Sequence, residues 1–414
     1  MRHVIIGSGP AGVVAAETLR KADPAAQITL LCGEGEPPYS RMAIPYLLKG
    51  EIDEAGTRIR KEEDHYARLR IGLAQARAQG VDTSARVVDI GNGRGLPYDR
   101  LLIATGSRPS RERIPGIDLP GVRTCWTLQD ARAIVARTRP GTRVVQMGAG
   151  FVGCIIMEGL LSRGVDLTIL VRSDYMVRRM MNPAASGLIR RWCEARGVKI
   201  LTGTQPKALS ANGDGLLVDL GEGRSLSADL YLSAVGVDPN LDFLAGSGVE
   251  VGRGVLVDAN LQSSVPGVYA AGDVAEATDC LTGKRRLNAI QPNAVEQGRI
   301  AALNMAGRPA RFKGSFVFNV LTTLGLASSS FGEWQGVPGG ESTEALDPSR
   351  YRYLNLQFDG DRLVGANCVG FSEHLGALRG LIEGRVRLGG WKHRLLDDPA
   401  QVAHAYLSAV HRVA

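Results

Sequence analysis

The hydrophobic pattern of the chain opens with a short apolar run that stops at glycine. Residues 4–6 are all apolar, and Gly7, Gly9 and Gly12 follow at the spacing Gly-x-Gly-x-x-Gly. The apolar residues after Gly12 recur at helical spacing. The pattern therefore predicts a buried strand, a tight turn and a helix, with the free N–H groups of the first helical turn facing the glycines.

This order of elements suits the binding of a dinucleotide. The first glycine permits the tight turn, the second lets the backbone approach a pyrophosphate, and the third lets the helix pack closely on the strand. The helix N-terminus adds N–H donors and a partial positive charge that favour phosphate groups. We predict that the first dinucleotide contacts Gly7, Gly9, Pro10, Ala11 and Gly12.

The same pattern recurs at residues 144–153, again with the strand first and the helix after. Gly148, Gly150 and Gly153 repeat the spacing, and Phe151 and Val152 stand between the last two glycines. One such fingerprint is weak evidence, but its repetition indicates a duplicated nucleotide-binding unit. Two such sites imply two dinucleotides, and the simplest use of two is electron transfer between them.

Further buried strands end in small residues, which would let a ligand lie close to the backbone at their carboxyl ends. Residues 101–103 form one such strand, and residues 232–235 form a partial copy of it in the second half. We expect these strand ends to complete the two sites through Ala104, Thr105, Gly106 and Arg108 at the first and Gly236 at the second.

A third strand of this type, residues 268–270, ends in Gly272-Asp273, and Gln291 through Ala294 open the next helix. The alternative role for Asp273 is that of a helix cap or turn residue. Its place at the end of a buried strand favours contact with a hydroxyl or phosphate group of the first dinucleotide.

The residues after the second strand of each unit differ in charge. Residues 27–31 are followed by Glu34, and an acid about 20 positions past the last glycine can bond ribose hydroxyls; the alternative is an ordinary loop carboxylate. Residues 167–170 are followed by Arg172 and Arg178. Arginine suits a 2′-phosphate, so the sequence favours NADPH at the second site; the alternative is a pair of surface arginines.

Outside these motifs the pattern predicts a helix over residues 59–78 and a hairpin near residues 86–90. After residue 310 the pattern changes. It then predicts apolar strands within residues 316–326, an alternating strand at 351–358, a turn at Asp359-Gly360, a strand from 363, a helix near 375–382 and a helical tail ending near Val410. The last part is a third, α+β domain without a nucleotide fingerprint.

Composition places the chain among ordinary globular proteins. Its 414 residues suggest two or three domains, with 44% hydrophobic and 22% charged residues. The net charge of +7 is scattered along the sequence, which indicates a solvated basic surface and not a nucleic-acid site. A basic rim would favour an acidic redox partner. Apolar runs fall short of the ~18 residues that span a membrane.

The six cysteines lie far apart in sequence, and none forms a Cys-x-x-Cys motif. This spacing argues against an iron–sulfur centre, a zinc knuckle and a local redox dithiol, so we predict no metal site. Unpaired cysteines of this kind fit a reducing, cytoplasmic setting.

Over its full length the sequence resembles the two-dinucleotide-binding flavoproteins of the pyridine nucleotide–disulfide oxidoreductase superfamily, whose landmarks occur here in the family's order. The resemblance implies an α/β fold with two Rossmann-like domains, one inserted in the other, and a C-terminal α+β interface domain. The implied ranges are 1–112 and 241–309 for FAD, 113–240 for NAD(P)H and 310–414 for the interface domain. Residues 352–396 look like the last domain of NADH:rubredoxin reductases and of the flavin region of assimilatory nitrite reductases.

The resemblance also assigns ligands and further site residues. It places FAD at the first fingerprint, with Glu34 and Ala78 in that site, and NADPH or NADH at the second as co-substrate. Arg41, Pro45 and Tyr46 would lie near the flavin. The flavin carries the chemistry in this family, so no protein acid, base or nucleophile is needed for hydride transfer. Gly153 is a departure, since NADPH enzymes often have alanine there.

Other departures narrow the chemistry. The redox cysteine pair of the disulfide reductases is missing, and Met42 occupies the position of the single reactive cysteine in the peroxidase branch; a thioether cannot form a thiolate. Cys154 is better explained as a small buried hydrophobe. Relatives pair a lysine beside the flavin with a glutamate, and these positions are Tyr46 and Ile155 here, with Glu158 one turn further on.

Three functions therefore stay open. The leading hypothesis is an FAD-dependent NAD(P)H:acceptor oxidoreductase that passes electrons to a small acidic redox protein such as a rubredoxin or ferredoxin. The replacements at Tyr46 and Ile155 motivate the main alternative, an FAD-carrying electron-transfer subunit of a larger dehydrogenase complex that uses NAD(P)H weakly or not at all. The third is an FAD-binding interaction protein resembling apoptosis-inducing factor. A homodimer is compatible with the resemblance.

Overall fold

The structure, a computed structural model, describes the backbone of residues 1–411 and side chains up to residue 409. It contains two compact units. The first comprises Met1–Leu47, Ile52–Arg108 and Val237–Phe316; the second comprises Leu48–Glu51, Pro109–Gly236 and the described residues from Val317 onwards. The predicted division into three domains by residue range stays a prediction.

Short strands make up most of the regular structure. In chain order they are β1 (Arg2–Ile6), β2 (Gln27–Leu31), β3 (Ile71–Ala74), β4 (Gly80–Asp82), β5 (Val87–Asp89), β6 (Gly95–Pro97), β7 (Arg100–Ile103), β8 (Ser107–Pro109), β9 (Val122–Arg123), β10 (Arg143–Met147), β11 (Asp166–Val171), β12 (Lys199–Thr202), β13 (Ala208–Asn212), β14 (Gly215–Gly221), β15 (Arg224–Ala228), β16 (Leu230–Ser233), β17 (Val237–Pro239), β18 (Val255–Leu256), β19 (Val268–Ala270), β20 (Ala275–Thr278), β21 (Arg285–Leu287), β22 (Phe318–Thr323), β23 (Leu326–Gly332), β24 (Glu341–Asp347), β25 (Arg352–Asp359) and β26 (Arg362–Val369).

The helices are shorter in total than the strands and connect or cover them. They are α1 (Pro10–Ala22), α2 (Ile44–Lys49), α3 (His65–Arg68), α4 (Leu128–Arg137), α5 (Phe151–Leu161), α6 (Pro183–Glu194), α7 (Gln291–Met305), α8 (Leu375–Glu383), α9 (Trp391–Asp397) and α10 (Val402–His411). Among residues 1–411, no helix is both long and apolar enough to cross a membrane.

The first unit is built on a parallel sheet in the order β19-β7-β1-β2-β3. The chain runs from β1 outwards to β3 and then returns to the other side of β1, so the strand order reverses between β1 and β7. Ile6 pairs with Ile103 at the carboxyl end of this reversal. Ligands of open α/β sheets bind at such a reversal, outside the carboxyl ends of the strands.

The second unit contains a sheet of the same design and a sheet of a different one. Its parallel sheet has the order β12-β11-β10-β16-β9, so that β10 takes the place that β1 has in the first unit. Its other large sheet is antiparallel, in the order β22-β23-β26-β25-β24, and α8 packs on β23 and β26. These sheets confirm the predicted α/β class and the α+β character of the last part of the chain.

One prediction of secondary structure is wrong. Residues 59–78 were expected to form a helix, but only α3 is helical there, and Arg70 then turns the chain with a φ of +51°. The next residues form β3, the fifth strand of the first parallel sheet, in which Ile28 pairs with Ile71. The apolar residues of this segment belong to an edge strand of the sheet. A strand of only four residues is too short to show the alternating hydrophobic pattern that would distinguish it from a helix.

Candidate functional site

The glycine-rich turn of the first unit can be built only from glycine at two positions. Gly7 has a φ of +111°, and a Cβ placed on it would lie 2.2 Å from the carbonyl oxygen of Ala104. A Cβ on Gly12 would lie 1.9 Å from the carbonyl oxygen of Gly7. The turn is therefore pressed between β7 and the first turn of α1, as the fingerprint predicts.

Gly9 differs from these two glycines because the side facing away from the protein is open. In the part of the chain that the structure describes, a Cβ on Gly9 would meet nothing within 4 Å. Gly9 is the N-cap of α1, and no described side chain caps that helix. The free N–H groups of the first turn of α1 thus lie next to the open space at Gly9. A pyrophosphate could accept hydrogen bonds from them there.

Small residues from three elements meet beside α1. A Cβ on Gly272, whose φ is +83°, would lie 3.3 Å from the Cβ of Ala11 and 3.6 Å from that of Ala294. The N–H of Gly272 donates to Oε1 of Gln297 at 2.8 Å. The structure therefore brings together three predicted residues and adds Gln297, a buried polar residue of α7 that the sequence analysis missed.

Glu34 and Arg41, predicted separately, form one network. The Glu34 carboxylate accepts a hydrogen bond from the Tyr39 hydroxyl at 2.5 Å and pairs with the Arg41 guanidinium. Arg41 also donates to the carbonyl oxygen of Ser107 at 3.0 Å. This network fixes an acid and a base at the carboxyl edge of the sheet, where an adenosine ribose and a phosphate would need opposite partners.

Asp273 lies at the same edge and accepts a hydrogen bond from the Ser107 hydroxyl at 2.9 Å. Burial raises the pKa of the Asp273 carboxyl, because the charged form is poorly solvated there. Ser107 thus joins Arg41 and Asp273 through its carbonyl and its hydroxyl. Its position directly after Ala104-Thr105-Gly106 was the only signal of this role.

The other predicted residues of the first site have partners outside this network. Thr105 donates through its hydroxyl to the carbonyl oxygen of Asn240 at 3.1 Å, and Arg108 is paired with Asp242. Ala78 packs against the core of the unit. Tyr46 is 52% exposed, so a ligand could reach its ring.

The second glycine-rich turn repeats the geometry of the first. Gly148 has a φ of +107°, and a Cβ on it would lie 2.2 Å from the carbonyl oxygen of Ala234; a Cβ on Gly153 would lie 2.4 Å from that of Gly148. Gly150 is again the open N-cap of its helix, and α5 has no capping side chain among the described residues. Both predicted dinucleotide sites thus have the required backbone.

A buried glutamine supports this second turn. Gln146 is fully buried in β10, and its Nε2 donates to the carbonyl oxygens of Gly148 at 2.9 Å and Gly153 at 3.1 Å. One amide therefore links the first and the last glycine of the motif. The sequence signal was a polar residue inside an otherwise apolar strand, and its role was not recognised.

The arginines of the second unit lie on one loop, residues 172–182, here called the arginine loop. Arg172 and Arg178 are exposed, and neither forms an ion pair with any residue that the structure describes. Val177 is buried, and its N–H donates to the carbonyl oxygen of Ala149 at 2.8 Å. The loop is therefore attached to the glycine-rich turn while its cations face outwards, as an anion site requires.

An ion pair lies close to Tyr46 and Ile155, the positions at which relatives carry a lysine and a glutamate. Nζ of Lys49 lies 3.1 Å from Oε1 of Glu158 and 2.6 Å from Glu51. Its bond to Glu51, followed by that to Glu158, raises the pKa of Lys49. Lys49 lies three residues after Tyr46 and Glu158 three residues after Ile155, which is about one helical turn in each case.

The cysteines do not form a redox centre in the described structure. None of the six forms a disulfide in the described part of the chain, and five of them are buried. Cys154 is fully buried, and burial raises the pKa of its thiol, which confirms that it packs as a small hydrophobe. Met42 is 48% exposed at the end of the loop that carries Arg41. Thiolate chemistry is therefore disfavoured at Cys154 and impossible at Met42.

Comparison with known proteins agrees with this geometry. A relative from Aromatoleum evansii, described as NADH-dependent phenylglyoxylate dehydrogenase subunit epsilon, is 31% identical over 99% of this chain and 98% of its own. The covalent putidaredoxin reductase–putidaredoxin complex includes a chain of the same fold, with a TM-score of 0.90 and 24% identity over 99% of this chain and 98% of that one.

A third similar structure is an engineered water-forming NADPH oxidase bound to NADPH. It has a TM-score of 0.85 and 22% identity over 94% of this chain and 92% of its own, a level that shows a shared fold. Residues 1–298 match the sequence model described as pyridine nucleotide-disulphide oxidoreductase. Together with the full-length relative, this match confirms the resemblance, and the chain belongs to the pyridine nucleotide-disulphide oxidoreductase family.

Proposed function

We propose that this chain is an FAD-dependent oxidoreductase that takes electrons from NADPH or NADH and delivers them to a protein partner. The observation that carries the proposal is the presence of two glycine-rich turns with the same backbone and different charged side chains after the second strand. In the first unit Glu34 follows β2, the strand that pairs with β1, and in the second unit the arginine loop follows β11, the strand that pairs with β10. Two dinucleotides with different adenosine ends are the ligands that suit this pair.

The residues of the first unit fit FAD. The open side of Gly9 admits a pyrophosphate, while Glu34 and Asp273 offer acceptors for hydroxyl groups. Arg41 adds a cation next to Glu34. When bound, FAD accepts a hydride and can release the electrons singly, which is the chemistry that the protein itself lacks.

The arginine loop supports a preference for NADPH. The engineered NADPH oxidase carries substitutions to alanine, arginine and serine in a row and to arginine five positions later. Here Val171, Arg172 and Ser173 stand in a row and Arg178 follows five positions after Ser173. The engineered oxidase also carries a glycine-to-alanine substitution 18 positions before the first of these residues. The equivalent residue in this chain, Gly153, lies 18 positions before Val171 and is a glycine. The full-length relative is described as NADH-dependent, so both nucleotides belong in the test.

The full-length match to a dehydrogenase subunit favours a second candidate within the same chemistry. In that case this chain would exchange electrons with other subunits of a complex, and the partner would be a subunit instead of a free, acidic redox protein.

Five cysteines are buried and form no disulfide in the described structure, which supports a reducing compartment, and we propose a cytoplasmic location on that basis. Formation of a homodimer stays a prediction.

Anaerobic stopped-flow absorbance of the FAD-loaded protein separates these possibilities. The proposal expects rapid loss of flavin absorbance on mixing with NADPH, and slower or weaker reduction by NADH. Reduction that needs a co-purified partner would favour the subunit. Protein that binds FAD but is reduced by neither nucleotide, with or without the partner, would contradict the proposed function.

A further inference from the structure

A fully buried asparagine of the antiparallel sheet holds the arginine loop in place. We propose that this residue, Asn367 on β26, is a positioning residue that sets the affinity of the second site for the phosphate at the adenosine end of its nucleotide. The proposal rests on the NADPH preference proposed above. It concerns a residue outside the nucleotide fingerprints, which acts on the ligand through the loop and not by touching it.

Asn367 bonds the backbone of the loop on both sides of Met181. Its Nδ2 donates to the carbonyl oxygen of Met180 at 2.9 Å, and its Oδ1 accepts from the N–H of Asn182 at 2.9 Å. A carbonyl can only accept and an N–H can only donate, so the orientation of the amide is fixed by its partners. Asn367 thus pairs with the loop as a neighbouring strand would.

The end of the loop is fixed by further bonds from the same sheet. Nδ2 of Asn182 donates to the hydroxyl of the fully buried Tyr353 at 2.7 Å, and that hydroxyl donates to Glu344 at 2.7 Å. Oδ1 of Asn182 accepts from the N–H of Ala185 at 3.0 Å and so caps α6. Every polar atom of the Asn182 side chain is therefore used, and the start of α6 is held in one position.

The middle of the loop has a backbone that needs such support. Val177 is a β-branched residue with a φ of +46°, a conformation that such residues rarely adopt. The N–H groups of Met180 and Met181 donate to the carbonyl oxygen of Val177 at 2.9 and 3.0 Å. Strained residues persist only where their surroundings hold them, and they are enriched at ligand sites. Asn367 is therefore linked to Val177, the residue before Arg178, by two hydrogen bonds through Met180.

These contacts explain how a residue of the antiparallel sheet acts on the nucleotide. Arg178 directly follows Val177, so a change in the backbone at Val177 redirects its guanidinium. A loop that is already ordered before binding loses less conformational freedom when the ligand arrives, and binds it more tightly. The 2′-phosphate should depend on this order most, because its proposed partners, Arg172 and Arg178, both lie on the loop.

Two substitutions of Asn367 test the proposal, with one matched control. Asn367→Asp keeps the shape and the bond from Asn182 but places an oxygen against the carbonyl oxygen of Met180. Asn367→Ser removes both bonds without adding charge, which separates loss of support from electrostatic repulsion of the phosphate. Asn355→Asp is the control. Asn355 is the buried residue on β25 that pairs with Asn367, and its Nδ2 donates to the carbonyl oxygen of Thr343 at 3.2 Å instead of to the arginine loop.

Calorimetric binding to the FAD-loaded protein supplies the measurement, with 2′,5′-ADP and 5′-AMP as probes. We expect both Asn367 variants to weaken 2′,5′-ADP binding by about tenfold or more and 5′-AMP binding by less than about threefold, since small displacements of an anion-binding group are costly. Asn355→Asp should leave the ratio of the two dissociation constants unchanged. FAD content and melting temperature report whether each variant is folded.

Several outcomes would overturn the proposal. Equal weakening of both probes by the Asn367 variants would show a purely structural role, and so would an equal loss of selectivity in Asn355→Asp. Unchanged binding in Asn367→Ser would show that the loop needs no support. If the unsubstituted protein binds 2′,5′-ADP no better than 5′-AMP, the NADPH preference fails and this inference fails with it, which is distinguishable from failure at Asn367 alone.

Discussion

The two glycine-rich turns share their backbone and differ in the side chains around them. A Cβ on the first glycine of either turn would lie 2.2 Å from a carbonyl oxygen of the neighbouring strand. Even the strand starts agree. The N–H of Arg2 donates to Asp99 at 2.7 Å, and that of Arg143 donates to Asp229 at 2.8 Å. The comparison shows that the backbone geometry is duplicated, and we propose that each copy holds a pyrophosphate.

The side chains after the second strand carry the difference. In the first unit the Glu34 carboxylate is held by Tyr39 and Arg41, so the acid is partly neutralised and fixed. In the second unit Arg172 and Arg178 are exposed on a loop whose backbone is held by hydrogen bonds to Ala149 and Asn367. We therefore propose that the backbone provides the binding of a dinucleotide, while these few side chains decide which dinucleotide binds.

The strands below the turns differ as well. His3 of β1 occupies the place of Val144 in β10, and Ile5 occupies the place of Gln146, counting back from each first glycine. The first unit thus buries an imidazole, and the second buries an amide that bonds its own turn. Each unit offers the natural control substitution for the other.

The largest effect is expected where the two turns are the same. Gly7→Ala and Gly148→Ala each put a Cβ against a backbone carbonyl and force a positive φ on a residue that disfavours it. We expect Gly7→Ala to abolish FAD binding, and Gly148→Ala to keep FAD but weaken NADPH binding by about 100-fold. The bound flavin per chain and the NADPH dissociation constant are the measurements.

The control for this pair uses the open glycines. Gly9→Ala and Gly150→Ala put a methyl group into open space, so the fold should be unaffected while approach of the pyrophosphate is hindered in the respective unit. Loss of FAD from the Gly148 variant together with its retention in the Gly7 variant would reverse the assignment of the two ligands.

The next effect concerns the stability of the first unit in acid. Burial, together with the nearby amino terminus, lowers the pKa of His3 from 6.5 to about 4. The unfolded chain therefore binds a proton below pH 6.5 that the folded chain takes up only near pH 4. The stability contributed by His3 is present above pH 6.5, and about 3 kcal/mol of it is lost as the pH falls to 4.

The substitution His3→Val, which copies the second unit, should remove this loss. The free energy of unfolding, measured by urea titration at pH 7 and pH 4, should fall less in the variant than in the unsubstituted protein by about 3 kcal/mol. Identical pH dependence in both proteins would show that the imidazole is not buried uncharged.

The smallest of the three effects is on nucleotide choice. Arg172→Ala should lower kcat/KM for NADPH by about 10-fold to 100-fold, because one charge-assisted hydrogen bond to a phosphate is lost. NADH lacks that phosphate, so its kcat/KM should stay within about twofold and serves as the control. Equal losses with the two nucleotides would refute the 2′-phosphate role and leave Arg172 a general determinant of binding.

Local backbone requirements were predictable from the sequence, and contacts between distant residues were not. The glycines, the strand ends and Glu34 follow from spacing, because each must adopt a special conformation or lie at a sheet edge. Gln146, Asn367 and Lys49, the partner of Glu158, were missed, since each acts on a residue far away in sequence or through a buried bond that leaves no periodicity. The prediction of a helix at residues 59–78 was wrong because the apolar residues of this segment are buried by a short edge strand instead.

The central claim is that the first unit binds FAD and the second binds the nucleotide that reduces it. The most direct measurement is the visible absorbance of the purified, FAD-incubated and desalted protein before and after anaerobic addition of NADPH. The account predicts about one FAD per chain, and loss of the flavin absorbance when NADPH is added. A protein that stays colourless after incubation with FAD would contradict the claim.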